Sequence, residues 1–169
     1  MRLRAGTIAI TGLLLLMTGC STMQGDATVE ENVTIDQAKT IAQEMETTLA
    51  GFVPPDQVAS IAQNPTGALM SCSKEGDYLW SGQTKVILEP GTTYDGDAVT
   101  SKIAAAYDGS KSYRTETDMT TDGQPRAHVI GENGEGYLVA LSVDKTFVQI
   151  LSFSPCFVLP DDVSPSKPY

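Results

Sequence analysis

The chain has 169 residues, and its 21 acidic and 11 basic side chains give a net charge of −10. This length fits one domain with a hydrophobic core. The excess of acid argues against binding to nucleic acid or to anionic lipid headgroups, because both are negatively charged. Acidity that only keeps the domain soluble is the simpler interpretation of this charge.

The first 19 residues have the order of a secretion signal. Arg2 and Arg4 precede an uncharged, mostly apolar segment over residues 5–17, and the small residues Thr18 and Gly19 follow. This order is typical of a signal peptide. An uncleaved membrane helix is the alternative, but spanning a bilayer takes about 20 strongly apolar residues, and glycines and threonines dilute this segment.

The segment Met17-Thr18-Gly19-Cys20 resembles the lipobox of bacterial lipoproteins, with Met17 in place of the preferred leucine. The resemblance implies cleavage before Cys20 and a diacylglyceryl group on the Cys20 sulfur. Two acyl chains anchor a protein stably, because each buried CH₂ contributes about 0.8 kcal/mol. The expected location is the extracytoplasmic face of the cell membrane. A cleaved signal without lipid, which leaves Cys20 an ordinary residue, is the alternative.

After the signal, the chain divides into a tether, a domain and a tail. Residues 20–33 contain the lipidated cysteine and a polar, aperiodic segment that indicates a flexible tether. Residues 34–159 carry the periodic patterns of one folded domain. Residues 160–169 contain three prolines and few apolar side chains, which predicts a disordered tail.

Two main helices are predicted. The first starts at the capping box Thr34-Ile35-Asp36-Gln37, keeps apolar residues on one face as far as Leu49, and stops at Gly51. A helix lying on a membrane is the alternative, but its polar face is acidic rather than rich in Lys or Arg. The second covers residues 97–107, with Asp97 as its N-cap. Residues 56–63 are predicted to form a further short helix.

The remaining periodic segments alternate apolar and polar residues, which is typical of half-buried strands. They occupy residues 68–72, 78–88, 113–119, 126–132, 136–143 and 146–154. The last of them is apolar on both faces and is therefore expected at the centre of the sheet. The predicted fold is α+β, with an antiparallel sheet of five or six strands, two helices packed on it, and the order α-β-β-α-β-β-β-β.

If Cys20 carries lipid, Cys72 and Cys156 remain. Two cysteines outside the cytoplasm indicate one disulfide, while two free thiols or a metal pair are alternatives. The segment Ser154-Pro155-Cys156-Phe157, with an earlier cysteine as partner, resembles small secreted lipoproteins of actinobacteria. Most of these have no assigned activity, so the resemblance implies a location and a fold type but no chemistry.

No catalytic signature is recognisable. His128 is the only histidine, and a hydrolase triad needs a base oriented by a third group. Glu116 and Asp118 share a strand face with Arg114, which favours solvated ion pairs over an acid–base dyad. The segment Glu132-Asn133-Gly134-Glu135 reads first as a hairpin turn and second as a weak cation site. We therefore expect no enzyme activity, no cofactor and no metal.

Four aromatic residues are candidates for a ligand pocket, because ligand sites are mostly apolar with a few polar groups: Tyr78, Trp80, Tyr107 and Tyr113. An ordinary core position is the alternative for each of them. The leading hypothesis is a non-enzymatic, lipid-anchored lipoprotein that binds another component of the cell envelope. A carrier of a lipid or other apolar ligand is the second hypothesis, and an envelope hydrolase is the third.

Overall fold

The structure is a computed structural model that describes residues 33–169. Cys20 and most of the predicted tether therefore lie outside the described residues. Two helices and an antiparallel sheet form an α+β domain, as predicted, but the sheet has eight strands rather than five or six, because Val58–Gln63 and Phe157–Val158 also pair with it. In this part of the chain, neither helix has the length and apolar character needed to cross a membrane.

Helix α1 (Ile35–Ala50) begins at the predicted capping box. The backbone N–H of Gln37 donates to Thr34 Oγ1 at 3.2 Å, and the backbone N–H of Thr34 donates to Gln37 Oε1 at 2.9 Å. Gly51 ends the helix, also as predicted. The cap satisfies backbone donors that have no partner inside the helix, so the start of α1 is fixed locally.

Helix α2 (Gly96–Tyr107) begins earlier than predicted. Its N-cap is Asp95, whose carboxylate accepts a hydrogen bond from the backbone N–H of Ala98 at 2.9 Å. The prediction that Asp97 caps this helix is wrong, because Asp97 already lies in the first helical turn. Asp95 has the extended backbone that an N-cap requires.

The strands are β1 (Val58–Gln63), β2 (Ala68–Ser71), β3 (Asp77–Leu88), β4 (Tyr113–Met119), β5 (Pro125–Gly131), β6 (Gly136–Leu141), β7 (Phe147–Phe153) and β8 (Phe157–Val158). They form one sheet in the order β1-β3-β7-β6-β5-β4, and the short strands β2 and β8 also pair with β3. Strand β7 lies between β3 and β6, which confirms the central position expected from its two apolar faces.

Residues 56–63 do not form the predicted helix. A short 3-10 helix covers Pro55–Gln57, and Val58–Gln63 is strand β1, which pairs antiparallel with the second half of β3. Strand β3 is 12 residues long, and its partner β7 covers only one of its sides. The hydrogen bonds offered by the other side outweigh the weak helical preference of this alanine-containing segment.

Both helices pack on the same face of the sheet, where the larger hydrophobic core forms. Its buried members on the helices are Leu49, Ala50, Val99 and Ile103. They meet buried strand residues that alternate along the chain, such as Val86, Val129, Val139, Val148 and Ile150. The opposite face, here called the open face, is covered by no helix within residues 33–169.

The last ten residues return to the domain, although they were predicted to be disordered. The backbone N–H of Gly67 donates to the Tyr169 carbonyl at 2.6 Å, and the Tyr169 N–H donates to the Gly67 carbonyl at 3.0 Å. The Trp80 indole N–H also donates to the Tyr169 carbonyl, at 3.1 Å. A few apolar side chains and backbone hydrogen bonds hold this proline-containing segment against the domain.

The two edges of the sheet differ in charge. Strand β4 forms one edge and alternates the charged residues Arg114, Glu116 and Asp118 with uncharged ones. Strand β1 forms part of the other edge, and its sequence VASIAQ contains no charged residue. Most of β1 is exposed, so its outer side is open to solvent.

Candidate functional site

The four predicted pocket residues do not line one pocket. Trp80 is fully buried in a small cluster with Ala38, Ala42 and Phe157, and Tyr78 packs against this cluster. Tyr107 and Tyr113 contact the larger core instead. The structure therefore separates the predicted set into two pairs that belong to different clusters.

The Trp80 pair is part of the core rather than of a cavity. The indole ring lies against the backbone of Gly67 and Gly82, and a Cβ atom at Gly82 would lie 2.1 Å from the ring. The backbone N–H of Trp80 donates a hydrogen bond to the Ser154 hydroxyl oxygen at 2.9 Å. Trp80 thus has the ordinary core position that was its alternative, and close packing leaves its ring no room for a ligand.

The second pair, Tyr107 and Tyr113, makes a direct contact at the end of α2. The ring centroids are 5.5 Å apart with an interplanar angle of 62°, an edge-to-face arrangement. Both rings line a surface groove of about 490 Å³ between α2 and β4. The Tyr107 hydroxyl donates to the Met45 sulfur at 3.2 Å, which is a weak acceptor.

A buried carboxylate lies beside this aromatic pair. Glu135 precedes β6 and is 5% exposed. Its carboxyl group lies over Gly131, where a Cβ atom would come within 2.1 Å of Glu135 Cδ and Oε1. Gly131 pairs directly with Tyr113 across β4 and β5. The Glu135 side chain therefore extends from β6 across Gly131 toward Tyr113.

Two buried polar atoms at this place lack a hydrogen-bond partner among the described residues. They are Glu135 Oε2 and the hydroxyl of Tyr137, a residue that is 1% exposed. Burial raises the pKa of the Tyr137 hydroxyl, and the nearby charges of Glu135 and Glu46 raise it further. We name Tyr107, Tyr113, Glu135 and Tyr137 the tyrosine–glutamate site.

The sequence did not reveal this site as a whole. Tyr107 and Tyr113 were candidates, but Glu135 was assigned to a hairpin turn and only secondarily to a weak cation site. The missed signal is the glycine at position 131, since a residue without a side chain leaves space for the neighbouring strand's side chain. Tyr137 was missed because its alternating strand position indicated only a core residue.

The open face of the sheet carries a second candidate surface. Its centre is formed by half-buried apolar side chains of three neighbouring strands: Ile130, Leu138, Leu151 and Phe153. Leu138 and Leu151 are directly paired between β6 and β7. Gln83 and Gln149 flank this centre on one side and hydrogen-bond to each other at 2.9 Å.

The other side of the open face carries charged residues of β4 and β5. Arg126 donates two hydrogen bonds to Asp118, at 2.8 and 2.5 Å, and His128 Nε2 lies 3.1 Å from Asp118 Oδ1. Arg114 pairs with Glu116 at 2.5 Å. The solvated ion pairs predicted for this strand are confirmed, and His128 lies directly opposite Glu116 on the neighbouring strand. The hydrogen bond from Arg126 is the main cause that lowers the pKa of Asp118 to about 2.

The predicted disulfide joins Cys72 to Cys156. Cys72 follows β2 and Cys156 precedes β8, and both strands pair with the beginning of β3 at Tyr78. The bridge therefore ties the end of β2 to the start of β8. Within residues 33–169, no group of three or more His, Cys, Asp or Glu side chains is arranged to hold a metal ion.

No family model matches the chain, and no curated protein matches it. Among solved structures, the chain is similar to the crystal structure of a DUF4853 family protein from Actinomyces odontolyticus ATCC 17982. The similarity covers 83% of this chain and 80% of that chain, with 10% sequence identity and a TM-score of 0.49. At this level the likeness concerns the path of the chain and assigns no activity.

Proposed function

We propose that this chain is a lipid-anchored lipoprotein on the extracytoplasmic face of the cell membrane, and that its domain binds another protein of the cell envelope through the open face. The order of charge, apolar segment and lipobox-like sequence ending at Cys20 supports the location. The composition of the open face supports the binding. The domain acts as an interaction module rather than as an enzyme.

The observation that carries this proposal is the apolar centre of the open face. Both helices lie on the opposite side of the sheet, so the side chains of Leu138, Leu151 and Phe153 meet no covering element among the described residues. Contiguous apolar patches of this kind are typical of protein-binding surfaces.

The rim of the open face also fits an interface. Protein interfaces commonly combine an apolar centre with a polar, solvent-accessible rim. Here Gln83 and Gln149 lie on one side of the centre, and the ion pairs of Asp118 lie on the other. The rim groups are already hydrogen-bonded to one another, so they are held in place before a partner arrives.

The anchor is tested by replacing Cys20 with alanine in the full-length chain. We expect the unaltered protein to carry a diacylglyceryl mass on its N-terminal cysteine and to fractionate with the membrane. The Cys20→Ala protein should lack this mass, while the matched Ser21→Ala protein should keep it. An unaltered protein without lipid would contradict the proposed anchor.

The binding surface is tested by photo-cross-linking in the intact envelope. A benzoylphenylalanine at position 153 should give one saturable adduct, whereas the same residue at Val143, a 79% exposed position outside the open face, should not. Adding Leu138→Lys should remove the adduct while the circular dichroism spectrum of the purified protein is unchanged. Equal adducts at both positions, or an adduct that survives Leu138→Lys, would exclude the open face.

A carrier of an apolar ligand is the second candidate function. A groove of about 450 Å³ at the start of α1 favours it, because apolar side chains contribute much of its lining, including Val33, Ile35 and Phe157. Native mass spectrometry of the protein extracted from its own membrane tests this alternative. A co-purifying mass that is lost on replacing Ile35 with Asp would support the carrier, whereas the bare lipidated protein would support the interaction module.

A further inference from the structure

The outer edge of strand β1 is unprotected. The path of the sheet ends at β1, so within residues 33–169 no strand pairs with its outer side. No charged residue occurs between Asp56 and Lys74, a segment that contains the whole of β1. Natural sheets commonly protect an exposed edge with charged side chains or prolines, and β1 contains neither. An edge of this composition is suited to pairing with another strand.

The backbone of β1 presents hydrogen-bonding groups on this outer side. The N–H of Asn64 donates to the Gln83 carbonyl of β3 at 3.0 Å. In an antiparallel pair every second residue turns its N–H and C=O toward the same neighbour, so Ala62 also bonds toward β3. The intervening residues Ile61 and Gln63 therefore turn their N–H and C=O groups away from β3, toward the open edge.

The side chain of Ile61 lies at the end of an apolar row. Ile61 is directly opposite Val86, a fully buried core residue of β3. Directly paired residues point to the same face of a sheet, so Ile61 lies on the face that the helices cover. It is nevertheless 55% exposed, because no strand follows β1. An apolar residue on a neighbouring strand would continue the row and cover Ile61.

Strand β2 is less available than β1, although it also pairs with β3 on the side away from β7. It has only four residues, and Leu69 in it packs against the small Trp80 cluster. Just before β2, Gly67 exchanges two backbone hydrogen bonds with Tyr169. The available part of this edge is therefore β1.

We propose that β1 pairs antiparallel with β1 of a second copy of this chain, around a two-fold axis at Ile61. The Ile61 N–H of each copy would donate to the Ile61 carbonyl of the other, and Gln63 would lie opposite Ala59. The two Ile61 side chains would meet and join the apolar rows that begin at Val86 in each copy. This inference is independent of the proposed anchor and of the proposed role of the open face.

A second copy fits this edge better than a foreign peptide. A two-fold interface requires a surface that complements itself, and an antiparallel strand centred on an outward-facing residue does so. Because β1 is uncharged, self-pairing brings no like charges directly opposite each other. A foreign peptide gains its specificity from side-chain pockets beside the edge, whereas the Ile61 side chain projects at this edge instead of leaving a pocket.

The helices leave room for this pairing. Glu46 on α1 bonds to Thr84 on β3 and to strands on either side of it, so α1 lies above β3. In the pair, the two copies of β3 would be three strand spacings apart, or about 14 Å. Packed helices lie about 8–10 Å apart. The two α1 helices would therefore not collide, and the Ile61 side chains would lie between them.

Sedimentation equilibrium of the full-length protein, purified from its host in density-matched detergent, tests the proposal. We expect twice the protein mass of one chain. Ile61→Lys places like charges opposite each other and should raise the dissociation constant about tenfold or more without changing the circular dichroism spectrum. Met119→Lys, at a 57% exposed apolar position on β4, is the matched control and should leave the pair intact. A single-chain mass for the unaltered protein, or a pair that survives Ile61→Lys, would overturn the proposal.

Cysteine cross-linking in intact cells locates the interface. Directly hydrogen-bonded residues have Cα atoms about 5.5 Å apart, which a disulfide can span. Under mild oxidation Ile61→Cys should give a product of twice the mass with a disulfide between the two introduced cysteines, whereas Thr117→Cys, exposed on β4, should not. Equal products from the two variants, or a product that joins position 61 to a different protein, would contradict self-pairing through β1.

Discussion

The carboxylate of Glu46 on α1 accepts a 2.5 Å hydrogen bond from the hydroxyl of Ser152 on β7, although 106 residues separate the two. Thr84 on β3 and Gln63 on β1 donate to the same carboxylate. A single side chain therefore connects the first helix with three strands of the sheet. These contacts fix the position of α1 more specifically than apolar packing alone, because hydrogen bonds depend on direction.

Replacing Glu46 with alanine should destabilise the domain strongly. The substitution leaves buried donors of Thr84 and Ser152 without an acceptor and opens a small cavity, so we expect the free energy of unfolding to fall by about 3–5 kcal/mol. Urea unfolding measures this change. Glu44→Ala, at an exposed position of the same helix, should cost less than about 0.5 kcal/mol, and equal losses in the two variants would contradict the role of Glu46.

The effect of Gly131→Ala on stability should depend on the side chain at position 135. The added Cβ would lie 2.1 Å from the Glu135 carboxyl group, so the side chain must move and the domain should lose about 1–2 kcal/mol. In a Glu135→Ala background the same change should be neutral or slightly stabilising, which gives a coupling energy of about 1–2 kcal/mol in a double-mutant cycle. Gly136→Ala is the matched control, because its nearest neighbour is Phe153 at 4.0 Å. Additive effects of the Gly131 and Glu135 substitutions would contradict the contact.

Removing the Cys72–Cys156 bridge should lower the free energy of unfolding, because the unfolded chain is no longer restricted by a closed loop. The cysteines are 84 residues apart, and closing a loop of this size stabilises a fold by about 4–5 kcal/mol in the chain-entropy model. The Cys72→Ala, Cys156→Ala double variant should lose about this amount in urea unfolding. A reducing agent should bring the unaltered protein to the same value and leave the variant unchanged. If the reducing agent also destabilised the double variant, its effect would have a cause other than reduction of this disulfide.

The stability of the domain should depend on Asp118 in acid. Hydrogen bonds from Arg126 and then His128 lower the pKa of Asp118 from 3.8 to about 2 in the folded state. A lowered pKa means that the ionised carboxylate stabilises the fold above about pH 4, and that this contribution disappears as the pH falls toward 2. Asp118→Asn should therefore flatten the dependence of the urea midpoint on pH between 4 and 2. Asp161→Asn, in the exposed tail, should keep the original slope, and an unchanged slope in Asp118→Asn would refute this assignment.

Features that depend on neighbouring residues were predictable from the sequence. Thr34 and Gln37 satisfy each other's backbone groups within one helical turn, so the start of α1 needs no information from the rest of the chain. The two apolar faces of Phe147–Phe153 likewise indicate a strand with neighbours on both sides. The α+β class follows from such local patterns.

Features that depend on distant partners were not predictable in the same way. Val58–Gln63 becomes a strand because one side of β3 is available, and its partner residues on β3 lie 21 to 30 positions later in the chain. Glu46 and Glu135 look like surface acids in the sequence, and only the packed sheet buries them. Tyr107 and Tyr113 were identified as site candidates. They lie apart from Tyr78 and Trp80 because the two helices cover different strands of the sheet.

The unequal charge of the two sheet edges limits how molecules of this kind can associate with one another. An edge such as β4, with its alternating charges, resists the addition of a foreign strand, whereas an uncharged exposed edge such as β1 accepts one more readily. A molecule in which only one sheet edge accepts a foreign strand can pair with only one other molecule. Strand-to-strand association through β1 would therefore stop at a pair and would not grow into a filament, because each new outer edge would be a charged β4.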